Sequence, residues 1–74
     1  MKNIIITGAA SGVGKEIANQ LKKENLFLID NNQTSLVLVA NKLKQNRYVC
    51  DVSNPVQVEA TFSKILETQK QLMF

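Results

Sequence analysis

Three short apolar runs divide the chain, and the residues between them repeat apolar side chains at helical spacing. The runs are Ile4-Ile5-Ile6, Leu26-Phe27-Leu28-Ile29 and Tyr48-Val49-Cys50. A strand with one face in water alternates apolar and polar residues, whereas these runs are continuous. The pattern therefore predicts a parallel sheet whose strands are covered on both faces.

Amphipathic stretches follow the first and second runs. Residues 12–24 are predicted to be helical, with Asn25 as a left-handed stop. The second helix is expected to begin with Thr34 or Ser35 as its N-cap. Val37 and Leu38 widen its apolar face, which indicates either tight packing on the sheet or a partner contact. The apolar positions of the two helices are Val13, Ile17, Ala18 and Leu21, then Leu36, Val39, Ala40 and Leu43.

A third helix is predicted to begin near Ser53 as its cap, with Pro55 in its first turn, where the missing N–H of proline costs nothing. It is expected to fade at residues 69–71, before residues 72–74 open a fourth strand. With right-handed crossovers, the elements form a βαβαβα unit with strand order 3-2-1. We interpret residues 1–74 as one incomplete domain, half of a doubly wound α/β sheet. The side chains that the third helix should bury are Val58, Phe62, Ile65 and Leu66.

The connection between the first run and the first helix is rich in glycine. Unpaired N–H groups and the positive end of the helix dipole make such a narrow loop suitable for phosphate. Gly8 is expected to permit the sharp exit from the strand, and Gly12 to let the backbone approach a pyrophosphate. Gly14 is expected to let the helix lie close to the sheet.

Acidic residues stand at the ends of the second and third runs. Asp30 lies 22 residues after Gly8, where a carboxylate accepts hydrogen bonds from an adenosine ribose and repels a 2′-phosphate. Asp51 follows the third strand and would accept from the adenine amino group. Taken singly, Asp30 is also explained as a turn or helix-capping residue, and Asp51 as an Asx-type cap. Their joint occurrence with the glycine loop favours a nucleotide site.

Composition limits the kinds of binding site and the cellular compartment that we expect for the chain. The chain of 74 residues has one cysteine and no histidine, so it offers neither an internal disulfide nor a Cys/His zinc site. Its net charge of +3 comes from scattered lysines, without the clustered basic and aromatic residues that bind nucleic acid. The apolar run near the N-terminus is too short for a membrane span or a signal-peptide core. We expect a reduced, cytoplasmic setting.

These features resemble the N-terminal part of a short-chain dehydrogenase/reductase. The family's Thr-Gly-x-x-x-Gly-x-Gly pattern is matched by Thr7, Gly8, Gly12 and Gly14, and its Asp-Val by Asp51-Val52. The resemblance covers essentially the whole chain. It implies a Rossmann-type domain that binds a dinucleotide.

The resemblance also implies roles for particular residues. Ser11 and Val13 would line the pyrophosphate loop, Asp30 would bind the ribose, and Asp51 with the Val52 backbone would hold adenine. NAD is implied rather than NADP, because NADP-preferring members carry a basic residue where this chain has Ser11 or Asn31.

The implied activity is oxidation of an alcohol or reduction of a carbonyl, by a homo-oligomer. The family's catalytic Tyr-x-x-x-Lys pattern is absent, because the only tyrosine, Tyr48, has Val52 four residues later. We expect Tyr48 and Cys50 to lie in the core, and these 74 residues alone to be inactive. A non-catalytic nucleotide-binding module and a non-binding assembly fragment are the alternatives. An uncovered edge at the first strand would favour self-association.

Overall fold

Three parallel strands form one sheet, with the second strand in the middle. The computed structural model describes residues 1–69. The strands are β1 (Asn3–Thr7), β2 (Asn25–Asp30) and β3 (Asn46–Val49), and the helices are α1 (Gly12–Gln20), α2 (Gln33–Leu43) and α3 (Pro55–Gln69). The order β1-β2-β3 confirms the predicted βαβαβα topology. The predicted fading of α3 at residues 70–71 and the fourth strand at residues 72–74 lie outside the described residues.

The core is organised around β2. Its four central side chains are at most 1% exposed, and because successive strand residues point to opposite faces they enter two separate clusters. Leu26 and Leu28 pack with residues of α1 and α2, whereas Phe27 and Ile29 pack with Cys50 and Ile65. Coverage of β2 on both faces is therefore confirmed.

The outer strands β1 and β3 are not covered on both faces, contrary to the prediction from the apolar runs. Burial alternates along β1 and β3, and Ile5 remains 41% exposed although it stands in an unbroken apolar run. Each of these strands pairs with β2 on one side only among residues 1–69. The continuous apolar run therefore overstated the coverage of the outer strands.

The first helix ends four residues earlier than its apolar pattern predicted. The chain leaves α1 after Gln20 and makes a turn before β2. Gln45 stabilises this turn because its side-chain amide donates to the carbonyl oxygens of Lys22 (3.0 Å) and Glu24 (2.8 Å). Asn25 is not a left-handed stop but the first residue of β2. Among the described residues other than glycine, the left-handed conformation occurs at Lys44 (φ 56°), at the end of α2.

Asparagines, and not the predicted hydroxyl residues, cap the second and third helices. The Asn32 Oδ1 accepts from the Ser35 N–H at 3.0 Å, so the expectation of Thr34 or Ser35 as the cap was wrong. Asn54 likewise replaces Ser53, because its Oδ1 accepts from two N–H groups in the first turn of α3. Pro55 is the first residue of α3, as predicted.

The apolar faces of the helices were predicted with unequal success. In α2 the expected residues are buried or half-buried, and Leu38 is exposed. In α1, Val13 is 76% exposed and Ile17 is also exposed, because the helix contacts the core mainly through Ala18. In α3, residues spaced by three and four positions form a narrow stripe that packs against the rest of the fold. Phe62 and Leu66 lie outside this stripe and are exposed, contrary to expectation. The stripe consists of Val58, Thr61 and Ile65.

The glycine loop brings α1 close to β1, as predicted. A methyl group on Gly14 would overlap the Gly8 carbonyl group and lie 3.1 Å from the Thr7 oxygen. Gly8 (φ 65°) and Gly12 (φ 58°) adopt the left-handed conformation that side chains disfavour. The loop backbone therefore depends on glycine at all three positions, for two different reasons. Among residues 1–69, no helix has the length and hydrophobicity needed to cross a membrane.

We predict that Gly14→Ala lowers the free energy of unfolding by about 1–3 kcal/mol, because the added methyl group meets backbone that cannot rotate away. Val13→Ala is the matched control, since this exposed neighbour lies in the same helical turn and should change stability by less than about 0.5 kcal/mol. Denaturant unfolding followed by circular dichroism measures both. Equal stability of the two variants would contradict the close packing.

Candidate nucleotide-binding site

A pocket lies at the carboxyl edge of the sheet, where all three strands end. Its volume is about 150 Å³. It brings together four of the residues proposed from the sequence, contributed by the ends of β1, β2 and β3. The lining residues are Gly8, Asp30, Asn31, Cys50, Asp51 and Val52.

The first half of the glycine loop is tied to the end of β2. The Ala9 N–H donates to the Ile29 carbonyl oxygen at 3.1 Å, and the Ala10 N–H donates to the Asp30 Oδ2 at 2.9 Å. Both alanines are buried. These two amides are therefore already occupied, and any anion would have to use N–H groups further along the loop.

The second half of the loop leads into a helix without a side-chain cap. Ser11 is the N-cap residue of α1, with extended backbone, and its hydroxyl makes no capping hydrogen bond. The side chains of Asn32 and Asn54 do cap α2 and α3. The N-cap Ser11 and the first two residues of α1 are exposed, so the positive end of the helix dipole is open to solvent.

Asp30 has a structural role, and its side chain is also accessible to a ligand. Its Oδ1 accepts from the Asn32 N–H at 2.9 Å, which is the turn interaction considered as an alternative, while its Oδ2 accepts from Ala10. Each carboxylate oxygen has two acceptor sites, so both oxygens retain capacity for a further donor. The half-buried Asp30 side chain lines the pocket and can therefore meet a ligand without releasing the loop.

Asp51 lines the same pocket as Asp30, and hydrogen bonds within its own turn hold its side chain. Its Oδ1 accepts from the Ser53 hydroxyl at 2.6 Å and from the Ser53 N–H at 2.9 Å, in an Asx-type turn that does not cap α3. These bonds, the hydroxyl first, lower the pKa of the exposed carboxyl below its ordinary value of 3.8. Asp51 is therefore ionised at neutral pH.

The pocket includes residues that sequence reasoning did not assign to it. Cys50 is almost fully buried, as expected for a core thiol, but it also forms part of the pocket wall together with Asn31. The signal available was position alone, because each directly adjoins an acidic residue at a strand end. The contact of Ala10 with Asp30 had no sequence signal, since it uses a backbone donor.

The remaining proposed residues do not line the pocket. Ser11 and Val13 lie on the exposed start of α1, and Gly14 lies beneath them against Gly8. Gly12 borders a different groove of about 200 Å³ between α1 and α2. That larger groove contains no residue from the strand ends, and its two lysines, Lys15 and Lys42, stand beside Glu16.

Comparison with known proteins agrees with this geometry. The sequence profile of the family described as short chain dehydrogenase matches residues 2–73. The chain belongs to that family.

Two curated relatives of the chain are reductases. A 3-ketodihydrosphingosine reductase from Dictyostelium discoideum is 28% identical over 88% of the chain, and a 3-oxoacyl-[acyl-carrier-protein] reductase from Rickettsia typhi is 35% identical over 86%. The chain spans only 26% and 28% of the lengths of these relatives.

Solved structures of two dehydrogenases superpose closely on the chain. A Burkholderia phymatum short chain dehydrogenase/reductase in complex with NAD has a TM-score of 0.84 at 32% identity, covering 89% of this chain and 26% of its own. A Thermococcus sibiricus alcohol dehydrogenase complexed with 5-hydroxy-NADP has a TM-score of 0.87 at 32% identity, covering 92% and 32%. The arrangement of strands and helices described above is therefore shared with these solved structures.

We predict that Ser53→Ala raises the pKa of Asp51 toward 3.8, because the variant loses the hydroxyl that contributes most to the shift. Since the folded-state pKa is lowered, the stabilising effect of the turn is complete above pH 3.8 and is lost as the pH falls through the folded value. NMR titration of the Asp51 carboxyl carbon measures the shift. Ser63→Ala, an exposed serine on α3, is the control, and an equal shift in both variants would refute the assignment.

Proposed function

We propose that the chain is the nucleotide-binding segment of an NAD-dependent oxidoreductase that interconverts an alcohol and a carbonyl compound. The observation that carries the proposal is one pocket lined by Asp30 and Asp51, in which Asp30 also binds the Ala10 N–H, one residue before the N-cap of α1. Two acceptors and an adjacent cluster of N–H donors match the ribose, base and diphosphate of a dinucleotide.

The diphosphate is assigned to the loop and the first turn of α1. Gly8 turns the chain away from β1, and exposed Ser11, Gly12 and Val13 present backbone donors to the phosphate oxygens. Gly14 allows this turn to lie directly against the Gly8 carbonyl group. A Cβ added to Gly12 would meet no atom within 4 Å, so the space beside this residue is open to a ligand.

The nucleoside is assigned to the pocket itself. Asp30 accepts hydrogen bonds from the ribose hydroxyls, and Asp51 accepts from the adenine amino group with the Val52 backbone alongside. The apolar part of the base lies against the pocket wall that includes Cys50. Ionised Asp51 is a stronger acceptor than a neutral group would be, and its own turn holds it in place.

The preference for NAD over NADP follows from charge. A 2′-phosphate would stand next to the Asp30 carboxylate, and the neighbouring Ser11 and Asn31 provide no positive charge to offset the repulsion. The related structures include both an NAD and a 5-hydroxy-NADP complex. The preference therefore rests on this chain's own residues.

The rest of the proposal concerns the protein to which the segment belongs. Its relatives are several times longer than this chain, so hydride transfer and substrate binding are assigned to sequence other than these 74 residues. We place residues 1–74 at the N-terminal part of a single Rossmann domain, in a homo-oligomer of a reduced, cytoplasmic setting. The substrate class is an alcohol or carbonyl compound.

We predict that Asp30→Asn lowers the ratio of NAD to NADP affinity about tenfold or more, because a bond to a charged acceptor is worth about 1.5–3 kcal/mol. Isothermal titration calorimetry with both cofactors measures the ratio. Asp51→Asn is the matched control, since it removes the same charge from the same pocket but acts on the adenine, which both cofactors share. A ratio that stays unchanged in Asp30→Asn would contradict the ribose role.

A further inference from the structure

We propose that Asp30 is also a positioning residue, which fixes the diphosphate loop through its bond to the Ala10 N–H and so controls the anion site. This inference rests on the proposed function, because it concerns the same loop. It assigns to Asp30 an effect on a part of the ligand that its carboxylate does not touch. The observation behind it is the 2.9 Å contact between the Ala10 N–H and the Asp30 Oδ2.

The loop has few attachments besides this one. Between the left-handed residues Gly8 and Gly12, the described hydrogen bonds to the strands are those of the Ala9 and Ala10 amides, and the Ser11 carbonyl oxygen accepts from the Lys15 N–H of α1 at 3.4 Å. The Ala9 amide binds main chain, at the Ile29 oxygen, and no substitution of Ile29 removes that acceptor. The Ala10 amide binds a side chain, so the second attachment depends on which residue ends β2.

Loss of this acceptor would act on the adjoining anion site. Ala10 is only 6% exposed, so without Asp30 its N–H would be buried without a partner unless the loop moved to bring it to water. Ser11, the next residue, is the N-cap of α1, and its side chain makes no capping hydrogen bond. Movement of Ala10 therefore displaces the N–H groups assigned to the diphosphate.

Charge and geometry make opposite predictions for a ligand that lacks ribose. A carboxylate repels a nearby anion, so removing Asp30 would raise the affinity for inorganic diphosphate if charge alone mattered. Removing the attachment of the loop would lower the affinity instead. The direction of the change therefore separates a positioning residue from a ribose ligand.

Asp51 provides a matched control for charge. It lines the same pocket and is ionised at neutral pH, but its oxygen accepts from Ser53 within its own turn and makes no described contact with the glycine loop. Asp51→Ala and Asp30→Ala change the net charge equally. The difference between the two variants then reports the contact with Ala10.

The test measures amide hydrogen exchange and inorganic diphosphate affinity by NMR on the unmodified chain and on Asp30→Ala, Asp30→Asn and Asp51→Ala. We expect a protected Ala10 amide in the unmodified chain and exchange about tenfold faster or more in Asp30→Ala, because the bond is to a charged acceptor. Diphosphate affinity should fall in Asp30→Ala and rise in Asp51→Ala. Asp30→Asn should restore slow exchange, since its side-chain oxygen still accepts.

Several results would overturn the inference. One is an Ala10 amide that exchanges freely in the unmodified chain, which can be measured even if a variant fails to fold. Another is a rise in diphosphate affinity in Asp30→Ala like that in Asp51→Ala. If Asp30→Ala instead loses NAD affinity while Ala10 exchange and diphosphate affinity stay unchanged, the ribose role survives and the positioning role fails. If Ala10 exchange responds but no variant or parent binds NAD, the proposed function fails and the loop contact stands.

Discussion

Burial of β2 on both faces is the interaction on which the rest of the structure depends. Each fully buried large apolar side chain stabilises the fold by roughly 1.5–3 kcal/mol, and β2 has four of them, against a typical net stability of about 5–15 kcal/mol. The same strand pairs with β1 and β3 and supplies both core clusters. A polar residue in the middle of β2 would therefore disrupt the core cluster that its side chain enters.

Parallel pairing around β2 creates the site as a by-product of the fold. Because the strands run in one direction, the residues that follow them meet at one edge of the sheet. Two of the strand ends are acidic and the third is glycine, and the pocket forms where they converge. The N-termini of the helices differ in capping. Side chains cap α2 and α3, whereas no side chain caps the start of α1.

The acidic residues show how structural and ligand-binding explanations can hold together. Asp51 makes an Asx-type turn with Ser53, not the expected cap of α3, and it still borders the pocket. Asp30 makes a turn contact with Asn32 and a loop contact with Ala10, and it still has acceptor capacity toward the pocket. A residue that organises the backbone around a site is already held in a fixed geometry, which favours ligand binding because little side-chain entropy remains to be lost.

Local pattern by itself determined the element order, the parallel topology, the roles of Gly8 and Gly14, and the meeting of the two acidic residues at one edge. These follow from periodicity and from stereochemical demands that only glycine meets. Tertiary structure alone decided where α1 stops, because Gln45, distant in sequence, binds the turn before β2. It also decided that Val13 and Phe62 are exposed and that Ala10 binds Asp30, since burial and backbone contacts depend on which neighbours the fold places nearby.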